Sequence, residues 1–357
     1  MAKYKFEQIA INSTEKKKPV EQDRFAYIGL EHMDPGCLNV TRFGSEVAPV
    51  GEKLIMHKGD VLFGKRRAYQ KKVAIAPFDG IFSAHGMVLR PREDIIDRRF
   101  FPLFISSDYF LDAAIKISVG SLSPTINWRD LKELEFELPD LDRQRKLAEV
   151  LWAINDAVES YKKLLDATDK LVKARFVEQF GDPLKAIEGE RGIRGSRIFT
   201  LASGKANTTS NLRDEYEYEC YGGNGVTGHS NIYLVKEPTI VIGRVGEYCG
   251  SVHITSPFSW ITDNAIYLNN YDKERVNLKF LFIQCQILDF HRFAATVGQP
   301  KITQKPLLDC IYTIPSKEEQ EQFAAFVHQT DKSKSELEQA LSELTATYKR
   351  ILSENLG

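Results

Sequence analysis

The chain carries the sequence SPTINWRDL at residues 123–131, followed by FELP at 136–139 and RQ at 143–144. A similar series returns as QPKIT at 299–303, YTIP at 312–315 and EQ at 319–320. Pro139 and Pro315 lie 176 residues apart, and so do Gln144 and Gln320. An internal repeat of this length indicates that the 357-residue chain contains two units of the same kind.

A long stretch without proline or glycine follows each copy. Its apolar residues recur at alternating spacings of four and three, which is the heptad pattern of a helix with one apolar stripe. The first stripe comprises Leu147, Leu151, Ile154, Val158, Tyr161 and Leu165, and it continues through Thr168 and Val172. The second stripe comprises Phe323, Val327, Leu337, Leu341, Leu344 and Tyr348, with Thr330 and Lys334 in its middle. The pattern predicts long helices at residues 141–180 and 316–357, the first ended by Gly181 and Pro183.

The parts upstream of each helix read as strands and turns. VLFGKR at 61–66 resembles IVIGR at 240–244, and APF at 76–78 resembles SPF at 256–258. We therefore assign the chain to the α/β class, with mixed α/β units at residues 1–140 and 181–315 joined by the two helices. The helices are expected to bury their stripes against each other as an antiparallel coiled coil, giving a pseudo-twofold repeat. The alternative is that each helix packs on its own unit.

Composition limits the classes of function. The 48 basic and 49 acidic residues give a net charge of −1, so a uniformly basic coat for nucleic acid is excluded while a local basic patch is not. The five cysteines are scattered and form no C-x-x-C pair, which favours reduced thiols in the cytoplasm over disulfides or zinc. No apolar run approaches the roughly 20 residues that span a bilayer, so no membrane association is expected.

Motifs for catalysis are not found in the sequence. There is no phosphate-binding loop, zinc-protease helix, nucleophile elbow or methyltransferase tetrapeptide. The stretch GNGVTG at 223–228 fits G-x-G-x-x-G, but that fingerprint needs a helix after its glycines, and the residues that follow read as loop and strand. A tight glycine turn that presents Tyr221 and Asn224 is the better interpretation.

A local basic segment is the main indication of a binding site. Residues 53–72 contain seven lysines and arginines and one acid, Asp60. Such cations can neutralise DNA phosphates or reach base edges, although a charged run is often only a solvated face. The candidate contacts here are Lys65, Arg66, Arg67, Tyr69, Lys71 and Lys72. The second unit has no such cluster, and its sparser candidates are Tyr221, Asn224, Arg244, Asn264, Lys301 and Thr303.

Taken in order, these features resemble a known family. The similar segments are VG at 119–120 and 297–298 with the repeat that follows each, FVEQFGDP at 176–183, and YGGNG at 221–225 followed by IGRVG at 242–246. Alternating variable units and long helices are similar to the DNA-specificity subunit of type I restriction-modification systems. The resemblance covers essentially the whole chain, and the order and duplication of the segments carry it.

The resemblance implies a non-catalytic role in a larger enzyme. Each globular unit would be a target recognition domain that reads one half of a bipartite site in double-stranded DNA. The helix pair would set the spacer and dock two methyltransferase subunits, which bring S-adenosylmethionine, while restriction subunits bring ATP and Mg²⁺. Lys334 would serve as a register device or a partner contact. A coiled-coil scaffold that binds proteins through its two units is the alternative, and an enzyme is a third reading.

Overall fold

The computed structural model describes residues 1–207, 212–295 and 298–356. Val297, which the repeat includes, and Gly357, at the end of the second predicted helix, lie outside these residues. The chain divides into two compact units. Unit 1 comprises Met1–Lys162 with Gln339–Gly357, and unit 2 comprises Lys163–Glu338. Each unit therefore contains one half of each long helix.

Unit 1 is a mixed α/β unit built on two four-stranded sheets. Its strands are β1 (Ala2–Lys5), β2 (Ala10–Ser13), β3 (Lys16–Lys17), β4 (Tyr27–Ile28), β5 (Lys53–Met56), β6 (Val61–Gly64), β7 (Val73–Ile75), β8 (Gly80–Phe82), β9 (Gly86–Pro91) and β10 (Glu135–Leu138). Its helices are α1 (Phe6–Ile9), α2 (Phe101–Ser106), α3 (Asp108–Lys116), α4 (Trp128–Leu131) and the first half of α5 (Leu141–Phe180). The sheets have the orders β2-β9-β6-β7 and β3-β5-β8-β4, and β1 pairs with β10.

Unit 2 has a closely similar arrangement. Its strands are β11 (Gly192–Arg194), β12 (Phe199–Ser203), β13 (Tyr218–Gly222), β14 (Gly225–Ser230), β15 (Ile240–Gly243), β16 (Val252–Ile254), β17 (Trp260–Ile261), β18 (Ala265–Tyr271) and β19 (Ile311–Thr313). Its helices are α6 (Leu278–Leu288), α7 (Gln304–Asp309) and the first half of α8 (Lys317–Leu356). The sheets have the orders β12-β18-β15-β16 and β14-β13-β17, and β11 pairs with β19.

Aromatic side chains form the centre of each unit. In unit 1, Phe6 and Phe110 are fully buried with ring centroids 5.0 Å apart, and Leu352 of α8 joins the same core. In unit 2, Phe176 of α5 lies 5.0 Å from Phe280 of α6. Burial of an aromatic side chain removes about 150–250 Å² from water, so these rings supply much of the packing energy. The long helices are thus part of both cores.

The residues of the predicted helix stripes are all buried or half-buried. In unit 1, Arg143 near the start of α5 donates a 2.6 Å hydrogen bond to Asn355 near the end of α8. In unit 2, Lys334 forms a 2.5 Å ion pair with Asp169 across the two helices. Phe176 and Phe323 also pack together there, with centroids 5.5 Å apart. Within unit 2 the helices therefore run in opposite directions.

The repeated glutamines anchor the start of each long helix. The side-chain Oε1 of Gln144 accepts from the Asp97 backbone N–H at 2.8 Å, and its Nε2 donates to two backbone carbonyls, of Ile95 and Pro139. Gln320 makes the same three kinds of bond in unit 2. Both glutamines are buried, at 1% and 0% exposure. The cost of burying an amide is offset because every bond it can make here is satisfied.

Candidate nucleic-acid interface

In unit 1 the residues after strand β6 meet the repeated loop that carries Pro124. The backbone carbonyl of Lys65 accepts from the Ile126 N–H at 2.9 Å, and Arg66 pairs with Thr125 in an isolated β-bridge. These backbone bonds hold Lys65, Arg66, Thr125 and Asn127 at one corner of the unit, which we call exit corner 1. A rigid backbone here gives the side chains a defined starting point from which to reach a ligand.

Arg66 is the exposed cation of exit corner 1, and two contacts orient its guanidinium group. Its Nε donates to Ser123 Oγ at 3.0 Å, and its Nη1 lies 3.4 Å from Nε2 of His85. Burial, together with the charges of Arg66 and Lys65, lowers the pKa of His85. The imidazole is therefore held in its neutral form at neutral pH, and the corner's positive charge comes from the arginine and lysine.

Lys65 occupies a half-buried position. It lines a cleft of about 300 Å³ together with Asn12, Lys16, Asn127 and Trp128. Burial, with a smaller contribution from the charge of Lys16, lowers the pKa of Lys65. A charge removed from water gains more from an arriving phosphate than an exposed one would, because the interaction is less screened.

The other cations of the basic segment differ in availability. Arg67 is exposed, with a left-handed φ of +54°, and Tyr69 is 56% exposed. By contrast, Lys71 is bound by two carboxylates, of Asp108 at 2.7 Å and Asp112 at 2.8 Å. Lys72 donates to the Leu30 carbonyl at 2.7 Å. Arg66 and Arg67 are therefore exposed and Lys65 lines the cleft, whereas Lys71 and Lys72 make contacts within the unit; that these residues contact DNA stays a prediction.

Unit 2 has a corresponding corner after strand β15. The Arg244 carbonyl accepts from the Ile302 N–H at 2.9 Å, and Val245 pairs with Lys301 in a β-bridge. Arg244 is half-buried, whereas Lys301 and Thr303 are exposed. We call this group exit corner 2. Arg244 is thus brought together with Lys301 and Thr303, which lie much further along the sequence.

The glycine-rich stretch of unit 2 forms the tip of a hairpin. Gly223 and Asn224 connect β13 to β14, and Gly225 takes a φ of +85° that favours glycine. A strand and not a helix follows, so the pyrophosphate-binding arrangement of G-x-G-x-x-G is not formed. Asn224 is exposed at this tip.

Tyr221 does not face solvent, which corrects the expectation that the turn presents it. It is 6% exposed, packs with Val241 and Ile261, and bonds through its hydroxyl. The hydroxyl donates to Glu219 at 2.7 Å and accepts from the Ser256 N–H at 3.1 Å. Burial raises the pKa of Tyr221. Strand alternation places this ring on the inner face of the sheet, where it joins a cluster with Val241 of β15 and Tyr267 of β18.

The sequence reasoning missed one lysine at exit corner 1, and a second lysine follows the equivalent strand of unit 2. Lys16 begins strand β3 and lines the cleft of exit corner 1, and Lys205 follows β12 in unit 2. Lys16 belongs to the run Lys16–Lys18, a charge signal that could have been found. Lys205 is a single lysine that follows β12, as Lys16 follows β2, and no charge run in the sequence marks it.

Comparison with known proteins identifies the group to which the chain is related. The sequence matches the family described as "Type I restriction modification DNA specificity domain" over residues 41–167 and 196–345. These segments cover well over half of the chain and include both exit corners. The chain belongs to this family.

Curated members of the specificity-subunit group resemble parts of the chain. The EcoDI specificity subunit of a type I restriction enzyme from Escherichia coli is 26% identical over 160 residues, which are 43% of this chain and 35% of that protein. The EcoprrI specificity subunit, also from Escherichia coli, is 26% identical over 149 residues, 41% of this chain and 36% of that protein. The match thus spans about a third of each relative.

Solved structures share the fold along the whole chain. A type I restriction-modification S subunit from M. genitalium superposes with a TM-score of 0.61 at 16% identity, covering 100% of this chain and 96% of that one. A structure concerned with complex assembly and conformational transition of the type I R-M system gives 0.55 at 16% identity, covering 99% and 97%. At this identity the likeness concerns the fold.

Two further findings complete the description of the specificity-domain chain. Within residues 1–207, 212–295 and 298–356, no three His, Cys, Asp or Glu side chains lie close enough together to hold a metal ion. Among the same residues, no helix is both long and apolar enough to cross a membrane. The candidate contacts that the structure brings together are the lysine and arginine side chains and the neighbouring polar side chains of the two exit corners.

Proposed function

We propose that the chain is the DNA-specificity subunit of a type I restriction-modification enzyme and binds double-stranded DNA in a sequence-specific manner. The observation that carries the proposal is the exit corner, which is built by the same backbone bond in both units and bears cations in both. Family membership supports it independently. Lysine and arginine contacts to phosphates supply affinity, while a few side chains at base edges supply sequence preference.

Each unit would read one half of a bipartite site. In unit 1 the proposed contacts are Lys65, Arg66, Arg67 and Tyr69, with Lys71 and Lys72 in supporting positions. In unit 2 they are Asn224, Arg244, Lys301 and Thr303, with Tyr221 holding the hairpin from inside. Two units with different side chains on similar sheets explain how one chain could recognise an asymmetric sequence.

The long helices would act as the spacer ruler and as the platform for two methyltransferase subunits. At 1.5 Å per residue, a helix of 40 residues is roughly 60 Å long, enough to separate domains that read half-sites about 34–36 Å apart. Beyond its stripe, α5 leaves Val150, Leu164 and Leu171 about half exposed, as a helix awaiting a partner would. The stripes packing as an antiparallel coiled coil belong to the same proposal.

In this assignment the chain itself performs no bond-making step. S-adenosylmethionine would be bound by the methyltransferase subunits and ATP with Mg²⁺ by restriction subunits, in the cytoplasm. The residues of this chain bind and orient DNA, so that the target base is delivered at a fixed distance from the helix platform.

The test is methylation of host DNA by the co-expressed complex. The chain is expressed with the methyltransferase subunit encoded beside it, and N6-methyladenine is mapped by single-molecule sequencing. We expect a split motif that disappears when the chain is deleted. Exchanging residues 1–140 for another recognition domain should change one half of the motif only. A methylation pattern that is unaffected by deletion would contradict the proposal.

The scaffold alternative predicts a different response to salt. If the units bind proteins, affinity for DNA should be negligible at all salt concentrations. If they bind phosphates, the logarithm of the DNA affinity should fall linearly with the logarithm of the salt concentration. Titration of the complex with a fluorescent duplex between 50 and 200 mM salt, an interval over which about six phosphate contacts would cost roughly a thousandfold, separates the two.

A further inference from the structure

The cleft that Lys65 lines is a recess and not a flat surface. It has a volume of about 300 Å³ and is lined by residues of β2, of the start of β9 and of the start of α4. We call it the corner 1 cleft. Its inner wall is buried, because Ser13, Leu54 and Met87 are 6%, 7% and 3% exposed. Lys16 and Asn127, which also line it, are exposed.

The charge inside the corner 1 cleft is positive. Two lysines line it, Lys16 and Lys65, and no carboxylate does. Neither lysine forms an ion pair among the residues that the structure describes. Burial lowers the pKa of Lys65, and the nearby charge of Lys16 lowers it further. Two ammonium groups that repel each other without a counter-charge favour an anion as the ligand.

A hydroxyl group in the inner wall has no partner. The Oγ of Ser13 is buried and makes no hydrogen bond within the described part of the chain. Buried hydroxyl groups are normally paired, because an unpaired one loses its bonds to water and gains nothing in return. A ligand that reaches the inner wall with an oxygen or a ring nitrogen would supply the missing bond.

The remaining lining suits a nucleobase. Trp128 is half-buried, and its ring packs on Phe6 with centroids 5.6 Å apart. Asn12 and Asn127 bring two side-chain amides to the same cleft. Unstacked bases are commonly held by aromatic rings, and amide side chains pair with base edges. The cleft thus combines an anion site with a site for a flat, hydrogen-bonding ring.

Unit 2 shows that the fold does not require this lining. Following the strand ladders from the second residue before each strand-ending glycine leads to Ser13 in unit 1 and to Ala202 in unit 2. Counting two residues from the isoleucine that closes each exit corner leads to Trp128 in unit 1 and to Gln304 in unit 2. Unit 2 therefore has neither the hydroxyl group nor the ring at these positions.

We propose that the corner 1 cleft receives one nucleotide that swings out of the DNA bound by unit 1, with its phosphate at Lys16 and Lys65 and its base beside Trp128. The inference rests on the proposed function for DNA as the ligand. The cleft has the volume of about ten water molecules in the liquid, so a phosphate alone fills only part of it. Ser13 would bond to the base or sugar.

Other occupants use the cleft less completely. A stacked base pair cannot enter a recess of this size, because its neighbours flank it on both sides. A phosphate alone would lie against Leu54 and Met87 and lose hydration there. A divalent cation prefers carboxylate and carbonyl oxygens and would be repelled by the two lysines. An acidic peptide would pair with the lysines but leave the ring of Trp128 without a stacking partner.

Mispairs in the DNA test whether a nucleotide swings out. Each position of the half-site assigned to unit 1 by the domain exchange is mispaired in turn, and binding of the full complex is measured by fluorescence anisotropy. Unpairing lowers the cost of swinging a base out, so we expect one position at which affinity rises at least fivefold. The methylated adenine is left out, because the methyltransferase must itself unstack it. A half-site without such a position would overturn the proposal.

Three variants connect this gain in affinity to the cleft. Trp128→Ala and Lys16→Glu should each reduce the gain to less than twofold, and Lys16→Glu changes an exposed residue, so it remains informative if the loss of Trp128 impairs folding. Ser13→Ala should reduce the gain without lowering thermal stability, since the hydroxyl group has no partner to lose. The matched controls in unit 2, Gln304→Ala and Lys205→Glu, should leave the gain unchanged. A gain that persists in all three cleft variants would overturn the proposal.

Free nucleotides separate this outcome from that of the proposed function. In the complex labelled with 5-fluorotryptophan, deoxynucleoside 5′-monophosphates should shift the fluorine resonance of Trp128 but not those of Trp152 and Trp260, and inorganic phosphate should shift it less. A split motif without a mispair gain would overturn the cleft proposal alone. A shift at Trp128 without any split motif would contradict the proposed function and retain the cleft as a nucleotide site. Neither a motif nor a shift would overturn both.

Discussion

The two units share a backbone frame but not its side chains. In each, the residue after a strand-ending glycine, Lys65 or Arg244, accepts a 2.9 Å hydrogen bond from an isoleucine N–H. At the next position unit 1 has Arg66 and unit 2 has Val245, while the opposing loop residues are Thr125 and Lys301. The cation has moved from the strand side to the loop side. Because these hydrogen bonds join backbone atoms only, the side chains at the surface can differ between the two units without changing the backbone.

A shared backbone arrangement with different side chains is also found at the long helices of each unit. Gln144 and Gln320 make matching sets of three bonds, so the attachment of the helix is common to both. The cavities beside the helices differ, because unit 2 has ion pairs where unit 1 has Asn155, Val158 and Thr345. The shared hydrogen bonds position the elements, whereas the side chains that differ lie at the exit corners and in the cavities beside the long helices.

The largest expected effect comes from removing the common attachment. Gln144→Ala and Gln320→Ala each leave one N–H and two carbonyls without their side-chain partner, and should destabilise their own unit by about 2–4 kcal/mol. Hydrogen exchange read by mass spectrometry reports each unit separately. The exposed Gln329→Ala is the control. Loss of protection in one unit only would show that the attachment is not equivalent in the two.

A smaller effect is expected at the exit corners. Lys65→Ala and Arg244→Ala should each weaken binding of the cognate duplex about tenfold and reduce the salt-dependence slope by about one. Lys116→Ala, which removes an exposed cation at the end of α3, is the control and should leave DNA affinity unchanged. Measurement by fluorescence anisotropy across salt concentrations distinguishes a phosphate contact from a general loss of folding. If the control weakened binding as much, the corners would have no special role.

A pH effect is expected at strand β16 of unit 2. Burial lowers the pKa of His253 below its usual 6.5, and its Nε2 has no hydrogen-bond partner in the described chain. The folded state therefore takes up this proton less readily than the unfolded chain, and stability is lost as pH falls from about 6.5 through the lower folded-state pKa. The protection factors of the β16 amides, corrected for the pH dependence of intrinsic exchange, should fall on acidification, and His253→Gln should remove that part of the response. A variant that remains equally acid-sensitive would rule out this histidine.

The smallest effect concerns the ion pair between the helices. Changing Lys334→Val with Asp169→Thr gives unit 2 the residues that unit 1 has at these positions. Because the pair is partly exposed, stability should change by less than about 1 kcal/mol. Chemical unfolding followed by helix circular dichroism measures the change. A loss of several kcal/mol would indicate that the pair sets the register of the two helices.

The sequence alone determined the features that depend on periodicity. Heptad spacing predicted helices at 141–180 and 316–357, and the structure has helices at Leu141–Phe180 and Lys317–Leu356. The resemblance also led to the family to which the chain belongs. Periodicity is a property of residues close together in the sequence, so a helix can be predicted from it without knowledge of distant contacts.

Only the tertiary structure decided which polar side chains are available. Tyr221 and Lys72 lie in local sequences that predicted exposed contacts, yet Tyr221 is buried in a cluster with residues of β15 and β18, and Lys72 donates to the Leu30 carbonyl. Lys16 gains its place from the pairing of strands distant in sequence. The cavity lined by α3, α5 and α8 in unit 1 likewise depends on how helices far apart in the chain pack. Exposure is set by long-range packing, which no local pattern encodes, and this is why the core elements of this protein were easier to derive than its binding surface.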